Sequence, residues 1–158
     1  MINMIQNAKD QAAALAMAAY RAAAAEGALP QAEVKTAPVE IPKDTANGDF
    51  TTTFALAAAK VLGRSPRDIA QALLDRMDLA GSYFDSAEIA GPGFLNFRLG
   101  RGWYEGVCAA VESEGADYGT NDGMKGRKIM VEFVSANPTG PMHMGNARGG
   151  VLGDTLAA

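Results

Sequence analysis

Apolar and polar positions along the chain follow helical or strand-like periods, and the period changes at a few glycines and prolines. Ile2–Glu26 is rich in alanine and free of proline and glycine, with only a loose apolar stripe of Ile2, Ile5, Leu15 and Tyr20. Alanine is the strongest helix former, so this predicts a long first helix, stopped at Gly27 with Pro30 beyond it. Val34–Ile41 alternates in part and carries Val, Thr and Ile. It predicts a strand, which Pro38 restricts to a sheet edge or a bulge. Pro42–Asp49 is a polar loop with an Asn47-Gly48 turn signal. Thr51–Leu62 predicts a second helix ending at Gly63. Ser65-Pro66-Arg67-Asp68 opens a third: serine caps, proline fills the first turn and the acid can reach back. That helix runs to about Met77, with Ile69, Leu73, Leu74 and Met77 on one face. Tyr83–Ala90 and Phe94–Leu99 predict a hairpin turned by Gly91-Pro92-Gly93. In the second of these strands Leu95, Phe97 and Leu99 share a face. Arg101–Glu114 predicts a fourth helix, with Trp103, Val107 and Val111 at four-residue spacing.

The apolar period then lapses. Gly115–Gly126 is polar, with glycines at 115, 119, 123 and 126, and marks the expected domain boundary. Lys128–Val134 reads as a buried strand and Val151–Ala158 as a helix. The expected layout is an α+β domain at 1–115 (a sheet packed with helices), a linker at 116–127, and at 128–158 the start of a second unit of strand, glycine-rich turn and helix. Such a unit lacks partner strands, and the chain stops in mid-helix with no capping signal, so the expectation is of a fragment of a longer polypeptide. No internal repeat is visible.

Composition narrows the class. The 158 residues are 48% apolar and 20% charged, enough to bury a core and ordinary for a soluble globular chain. The net charge of −4 argues against a generally basic nucleic-acid binder but leaves room for local patches at Arg64, Arg67, Lys125, Arg127 and Lys128. The single cysteine, Cys108, excludes an internal disulfide and falls within an apolar helical pattern, where a small core residue is expected. No stretch has the length of a bilayer span, and Met1–Asp10 lacks the layout of a secretory signal, so no membrane association and a cytoplasmic location are expected.

The chemistry gathers between the last predicted strand and helix, in Val131-Glu-Phe-Val-Ser-Ala-Asn-Pro-Thr-Gly-Pro-Met-His-Met-Gly-Asn-Ala-Arg-Gly-Gly150. A corner where a strand hands over to a helix presents unpaired backbone N–H groups and can hold an anion such as phosphate. In open parallel sheets ligands collect at such strand ends.

This run resembles the start of the catalytic domain of the arginyl-tRNA synthetases. His143-Met144-Gly145-Asn146 stands where class I synthetases carry their "HIGH" signature, and the lead-in Glu132–Pro141 with the following Ala147-Arg148-Gly149-Gly150 is far more specific than four residues. Asn47-Gly-Asp-Phe50 and Ala90-Gly-Pro-Gly-Phe-Leu-Asn-Phe97 resemble the additional N-terminal domain of the same family.

The resemblance implies an α+β additional domain followed by the first strand–loop–helix of a Rossmann-like class I catalytic domain. It also implies ATP-dependent activation of L-arginine and its transfer to tRNA(Arg), with magnesium arriving on ATP and no protein-held metal. The implied catalytic residues are His143 and Asn146. Thr139, Gly140, His143, Gly145 and Asn146 would face the nucleotide, and Glu132, Ser135, Asn137 and His143 the amino acid. The motif region runs from Ala136 and Asn137 through Pro138, Pro141 and Met142 to Met144 and Asn146. Asn146 replaces the second histidine usual in the family. Its amide can donate a hydrogen bond but carries no charge. A lone histidine near a helix start is often a cap, but within this motif the catalytic role is the better reading.

Glu132, the one acid in an apolar strand, should face a cation. A substrate guanidinium or ammonium is one choice, Arg148, Arg127 or another internal cation the other. Asn137 either contacts the amino acid backbone or stabilises the turn. Phe50 and Phe94 read as core residues, and Asn96 as the stronger candidate for RNA contact near the D loop of tRNA if the hairpin face is open. Other readings are another class I synthetase or nucleotidylyltransferase sharing the short signature, and a non-catalytic tRNA-binding module. A monomer is favoured, and the 158 residues alone should be inactive.

Overall fold

The computed structural model describes residues 2–137 and 139–158. It divides into two compact units, Met1–Thr120 and Asn121–Ala158.

The first unit opens with α1 (Met4–Ala25), capped by the Asn3 side chain on the Gln6 amide. Its buried face is Ala8, Ala12, Ala16, Ala19 and Ala23 with Tyr20, a helical stripe of methyl groups and one aromatic ring. Of the sequence stripe Ile2, Ile5, Leu15 and Tyr20, the last two hold: Tyr20 is core and Leu15 packs against it, whereas Ile2 and Ile5 are exposed. The Tyr20 hydroxyl is satisfied by donating to the Ala32 carbonyl and accepting from the Ala32 amide, both at 2.9 Å.

Four antiparallel strands follow: β1 (Val39–Glu40), β2 (Phe50–Thr52), β3 (Phe84–Ala90) and β4 (Phe94–Leu99), in the spatial order β1-β2-β4-β3. The predicted strand at Val34–Ile41 shrinks to two edge residues, because Pro38 has no N–H to give the ladder. Strand β2 occupies the start of the predicted second helix. Thr51 and Thr52 pair with Asn96 and Leu95, and α2 (Phe54–Leu62) begins only after Thr53. Helix α3 (Pro66–Leu74) starts as read, with the Ser65 side chain accepting from the Asp68 amide, and ends three residues earlier than expected. The hairpin and α4 (Arg101–Glu114) match their predicted spans closely.

The pleat sorts the sheet into two faces. Phe50, Thr52, Leu95, Phe97 and Phe84 join the alanines of α1, Phe54 and Leu62 of α2, and Ile69 and Leu73 of α3 in one core. Phe84 packs on Phe97 with ring centroids 5.1 Å apart, and Tyr20 on Phe54 at 6.0 Å. The pairings Glu40↔Thr51, Thr51↔Asn96 and Asn96↔Glu88 put one residue from each strand in a row across the other face. Phe94 and Arg98 flank Asn96 there on β4. Cys108 lies away from the core and is exposed. The inward face of α4 is set by Trp103 and Ala110, and Cys108, five residues past Trp103, points elsewhere.

Among its described residues the second unit has one regular element, α5 (Met144–Ala157). It begins seven residues before the predicted Val151, so the glycines at 145, 149 and 150 lie inside the helix. The predicted strand Lys128–Val134 forms none. A strand needs a ladder partner, and among the described residues this segment has none. The chain also turns at Val134, whose φ of 58° is left-handed. Phe133 lies over Gly153, where any Cβ would collide with the Phe133 side chain, and Gly153 is the buried residue of α5.

Candidate functional site

The second unit brings most of the predicted residues together at the start of α5, while Glu132 and Gly145 do not line the concavity they form. Ser135, Ala136, Asn137, Thr139, Gly140, Pro141, Met142, His143 and Asn146 line one concavity of ≈ 490 Å³. Pro138 lies outside the described residues. Met144 joins Val134, Met142, His143 and Asn146 around an adjoining, more apolar hollow of ≈ 580 Å³.

His143 is the N-cap of α5. Its Nδ1 accepts a hydrogen bond from the Gly145 amide at 3.1 Å, and its own backbone N–H donates to Asn146 Oδ1 at 3.1 Å. The capping reading and the catalytic reading of this histidine are thus compatible. With Nδ1 committed as an acceptor, the neutral ring carries its proton on Nε2, which is left to donate. Asn146 is fixed in the same way. Its carbonyl oxygen is taken by the cap, which leaves both amide hydrogens for another acceptor.

Two expectations change here. Gly145 leaves room for the His143 ring, since a Cβ at 145 would lie 2.9 Å from His143 Cε1. The backbone amides of the first turn are less free than the sequence implied: Gly145 is bound by the imidazole, and Asn146 and Ala147 by the His143 carbonyl. The donors left without an intramolecular partner along this concavity are therefore mainly on side chains: His143 Nε2, the Asn146 amide and the Thr139 hydroxyl.

Glu132 is exposed and accepts from the Ser135 hydroxyl at 2.6 Å. Among the described residues it forms no ion pair, so neither Arg127 nor Arg148 is its partner. Without a strand at Lys128–Val134, no packing forces this carboxylate out of water, and the argument for an internal cation lapses. Described residues include no group of three or more His, Cys, Asp or Glu placed to hold a metal. Nor is any described helix long and apolar enough to cross a membrane.

A second site lies on the outer sheet face of the first unit. Pro42, Asn47, Thr51, Ala90, Gly91, Pro92, Phe94 and Asn96 line a largely apolar pocket of ≈ 290 Å³. Phe50 is core, as read, at 3% exposure. Phe94 is half-buried and belongs to the pocket instead. Asn96 is only 2% exposed, yet no described group hydrogen-bonds its carboxamide. The Thr51 hydroxyl is likewise buried without a partner. A fully buried hydroxyl without a partner is costly, and this one lines the pocket beside the Asn96 carboxamide.

The loop over this pocket is pinned to the sheet. Gly48 has φ 86° and sits so close to the Phe97 carbonyl that a Cβ would come within 2.7 Å of its oxygen. The Asp49 amide donates to that same oxygen at 2.9 Å. Sequence reading singled out Asn47–Phe50 and Ala90–Phe97 separately, and the structure joins them around one hollow. Thr51 carried no signal in the sequence and would have been found only from the strand register.

The fold is thus an antiparallel α+β domain backed by helices, with a helix-capped corner following in a separate unit. The profile of the arginyl tRNA synthetase N terminal domain matches residues 6–99, and the chain belongs to that family. It is 45% identical over all 158 residues to the arginine–tRNA ligase of Acetivibrio thermocellus, covering 28% of that protein. Against the corresponding ligase of Paracoccus denitrificans it is 54% identical over 120 residues, which is 76% of this chain and 20% of that one. The chain therefore spans under a third of the length of the curated relatives it matches. Among solved structures, the arginyl-tRNA synthetase of Plasmodium falciparum has a TM-score of 0.54 at 16% identity, covering 94% of this chain and 27% of that chain. At that identity the likeness is one of fold.

Proposed function

We propose that the chain supplies the tRNA-contacting domain and the first nucleotide-binding corner of an arginine–tRNA ligase. The observation that carries this reading is the convergence of nine residues of the Ser135–Asn146 segment on one concavity, with the capped His143 at its centre, in a chain of this family. Residues 128–158 are assigned to the opening of a Rossmann-like catalytic domain, residues 116–127 to a linker and residues 1–115 to the additional domain.

Activation joins the arginine carboxylate to the α-phosphate of ATP and expels pyrophosphate, and the acyl group then passes to tRNA(Arg). Charge builds on phosphate oxygens, and catalysis of this kind rests on positioned donors. His143 donates from Nε2, its ring held by the Gly145 amide. Asn146 donates from its amide while its oxygen holds the cap. Thr139 and Gly140 border the nucleotide side. Ser135, Asn137 and Glu132 border the amino acid side, where the exposed carboxylate is available to an arginine guanidinium or ammonium group. Magnesium would travel on the ATP phosphates, and no protein cluster is assigned to it.

The pocket of Phe94, Asn96 and Thr51 fits an unpaired base of tRNA(Arg). The ring offers a stacking surface, and the buried Thr51 hydroxyl and the Asn96 carboxamide, neither engaged by a described group, offer hydrogen bonds to a base edge. The deciding test is ATP–pyrophosphate exchange and arginine charging by a polypeptide of the relatives' full length. Arginine-dependent exchange is the expected result. Exchange driven by a different amino acid, or none at all, would overturn the assignment.

A further inference from the structure

Arg67 is an exposed cation that fold stability does not account for. It lies in the first turn of α3, where the positive end of the helix dipole disfavours a cation. Among the described residues it forms no ion pair. Its one hydrogen bond runs from Nη1 to the Gly91 carbonyl at 3.1 Å. Gly91 lines the pocket of Phe94, Asn96 and Thr51, so the guanidinium is tethered at the pocket mouth.

The backbone behind the tether is tightly packed. Gly93, at the end of the same turn, packs on Pro66 so closely that a Cβ would fall 2.8 Å from the Pro66 carbonyl. The hairpin turn and the start of α3 are therefore packed tightly together, which fixes the backbone from which Arg67 reaches the Gly91 carbonyl at the pocket mouth. Arg98 offers a built-in comparison. It donates from Nη2 to the Ala46 carbonyl at 2.8 Å, next to the pocket residue Asn47. Unlike Arg67, it also pairs with Glu88 at 3.3 Å, which offsets its charge.

We propose that Arg67 contacts a backbone phosphate of the RNA whose unpaired base occupies this pocket, and that Arg98 contributes much less. The inference rests on the base-binding reading of the pocket given above. A guanidinium has five N–H donors, and the Gly91 bond uses one, leaving a fork free for phosphate oxygens. Holding the side chain in place beforehand reduces the ordering cost of the contact.

The test is binding of a fluorescein-labelled tRNA(Arg) transcript to the 158-residue chain, followed by anisotropy between ~50 and ~200 mM KCl. Arg67→Ala is expected to weaken binding roughly tenfold, as loss of one charge-assisted hydrogen bond would, and to lower the slope of log affinity against log salt by about one. Arg98→Ala should change the slope by clearly less. Arg67→Gln keeps a donor for the Gly91 carbonyl but removes the charge. Behaviour like Arg67→Ala supports the phosphate contact, and behaviour like the parent chain means the arginine only holds the turn, which overturns it. Phe94→Ala and Asn96→Ala separate the two levels. If they weaken binding while Arg67→Ala leaves affinity and slope unchanged, the pocket reading survives and the phosphate contact is wrong. If all three bind as the parent does, the pocket reading fails and the phosphate contact with it.

Discussion

The Asp49 carboxylate accepts a hydrogen bond from the Leu99 backbone amide at 2.8 Å, across fifty residues of sequence. It extends the pairing of β2 with β4 beyond the last residue of the ladder and fixes the loop that roofs the outer pocket. Asp49→Ala is expected to cost about 1.5–3 kcal/mol, the range for a lost hydrogen bond to a charged group. Asp49→Asn retains an acceptor and should recover most of it. Urea unfolding of the chain, followed by far-UV circular dichroism, measures both.

The close packing of Gly145 on the His143 ring gives a second prediction. Gly145→Ala must displace the imidazole, because no other atom can yield so near the backbone. The His143 Cε1 and Cδ2 resonances should shift in a proton–carbon spectrum of the chain, while residues of the first unit keep their positions. An unmoved imidazole would mean that the cap tolerates the methyl group.

In a polypeptide of full length, His143→Ala is expected to reduce arginine-dependent ATP–pyrophosphate exchange by ~10²–10³, the usual effect of removing one positioned donor. Asn146→Ala should lower it less and also loosen the helix start, by roughly 1 kcal/mol for a lost cap. Exchange kinetics on the two variants separate these effects. Equal rates for His143→Ala and the parent would remove the imidazole from the mechanism.

Asn96 predicts a conflict between stability and binding. The residue is 2% exposed and no described group hydrogen-bonds its carboxamide, so Asn96→Val should keep the unfolding midpoint or raise it by up to a few degrees, worth about 1 kcal/mol. The same change removes a base-edge contact and should weaken tRNA(Arg) binding. Thermal unfolding and anisotropy on the same sample report both. A variant that loses stability would show that the carboxamide is satisfied in solution.

How much of this was readable beforehand depended on whether the signal was local. The Ser65-Pro66 helix start and the Gly91-Pro92-Gly93 turn encode their own geometry, and both lie where the sequence put them. Strand β2 was hidden because three residues are too few for a period, and Phe50–Thr52 runs straight into a strong helix. Only its pairing with β4, a distant segment, makes it a strand. The Lys128–Val134 reading failed for the converse reason: β-branched and apolar residues state a preference, but a ladder takes two. At the corner, the sequence named the residues that gather, yet not how. The mutual capping of His143 and Asn146 depends on α5 beginning at Met144, and the glycines in that stretch argued for a later start. Burial of Glu132 was argued from a strand that does not form.

The alanine-lined inner surface of α1 has a consequence for how this domain tolerates change. Five buried alanines put small side chains where α1 meets its neighbours, so close fit matters there as much as apolar bulk. Enlarging any of them, even to valine, would push against a seat with no slack, whereas the outward alanines should accept almost anything. A tract that passes for compositional filler is therefore, on one side, among the least substitutable parts of the molecule.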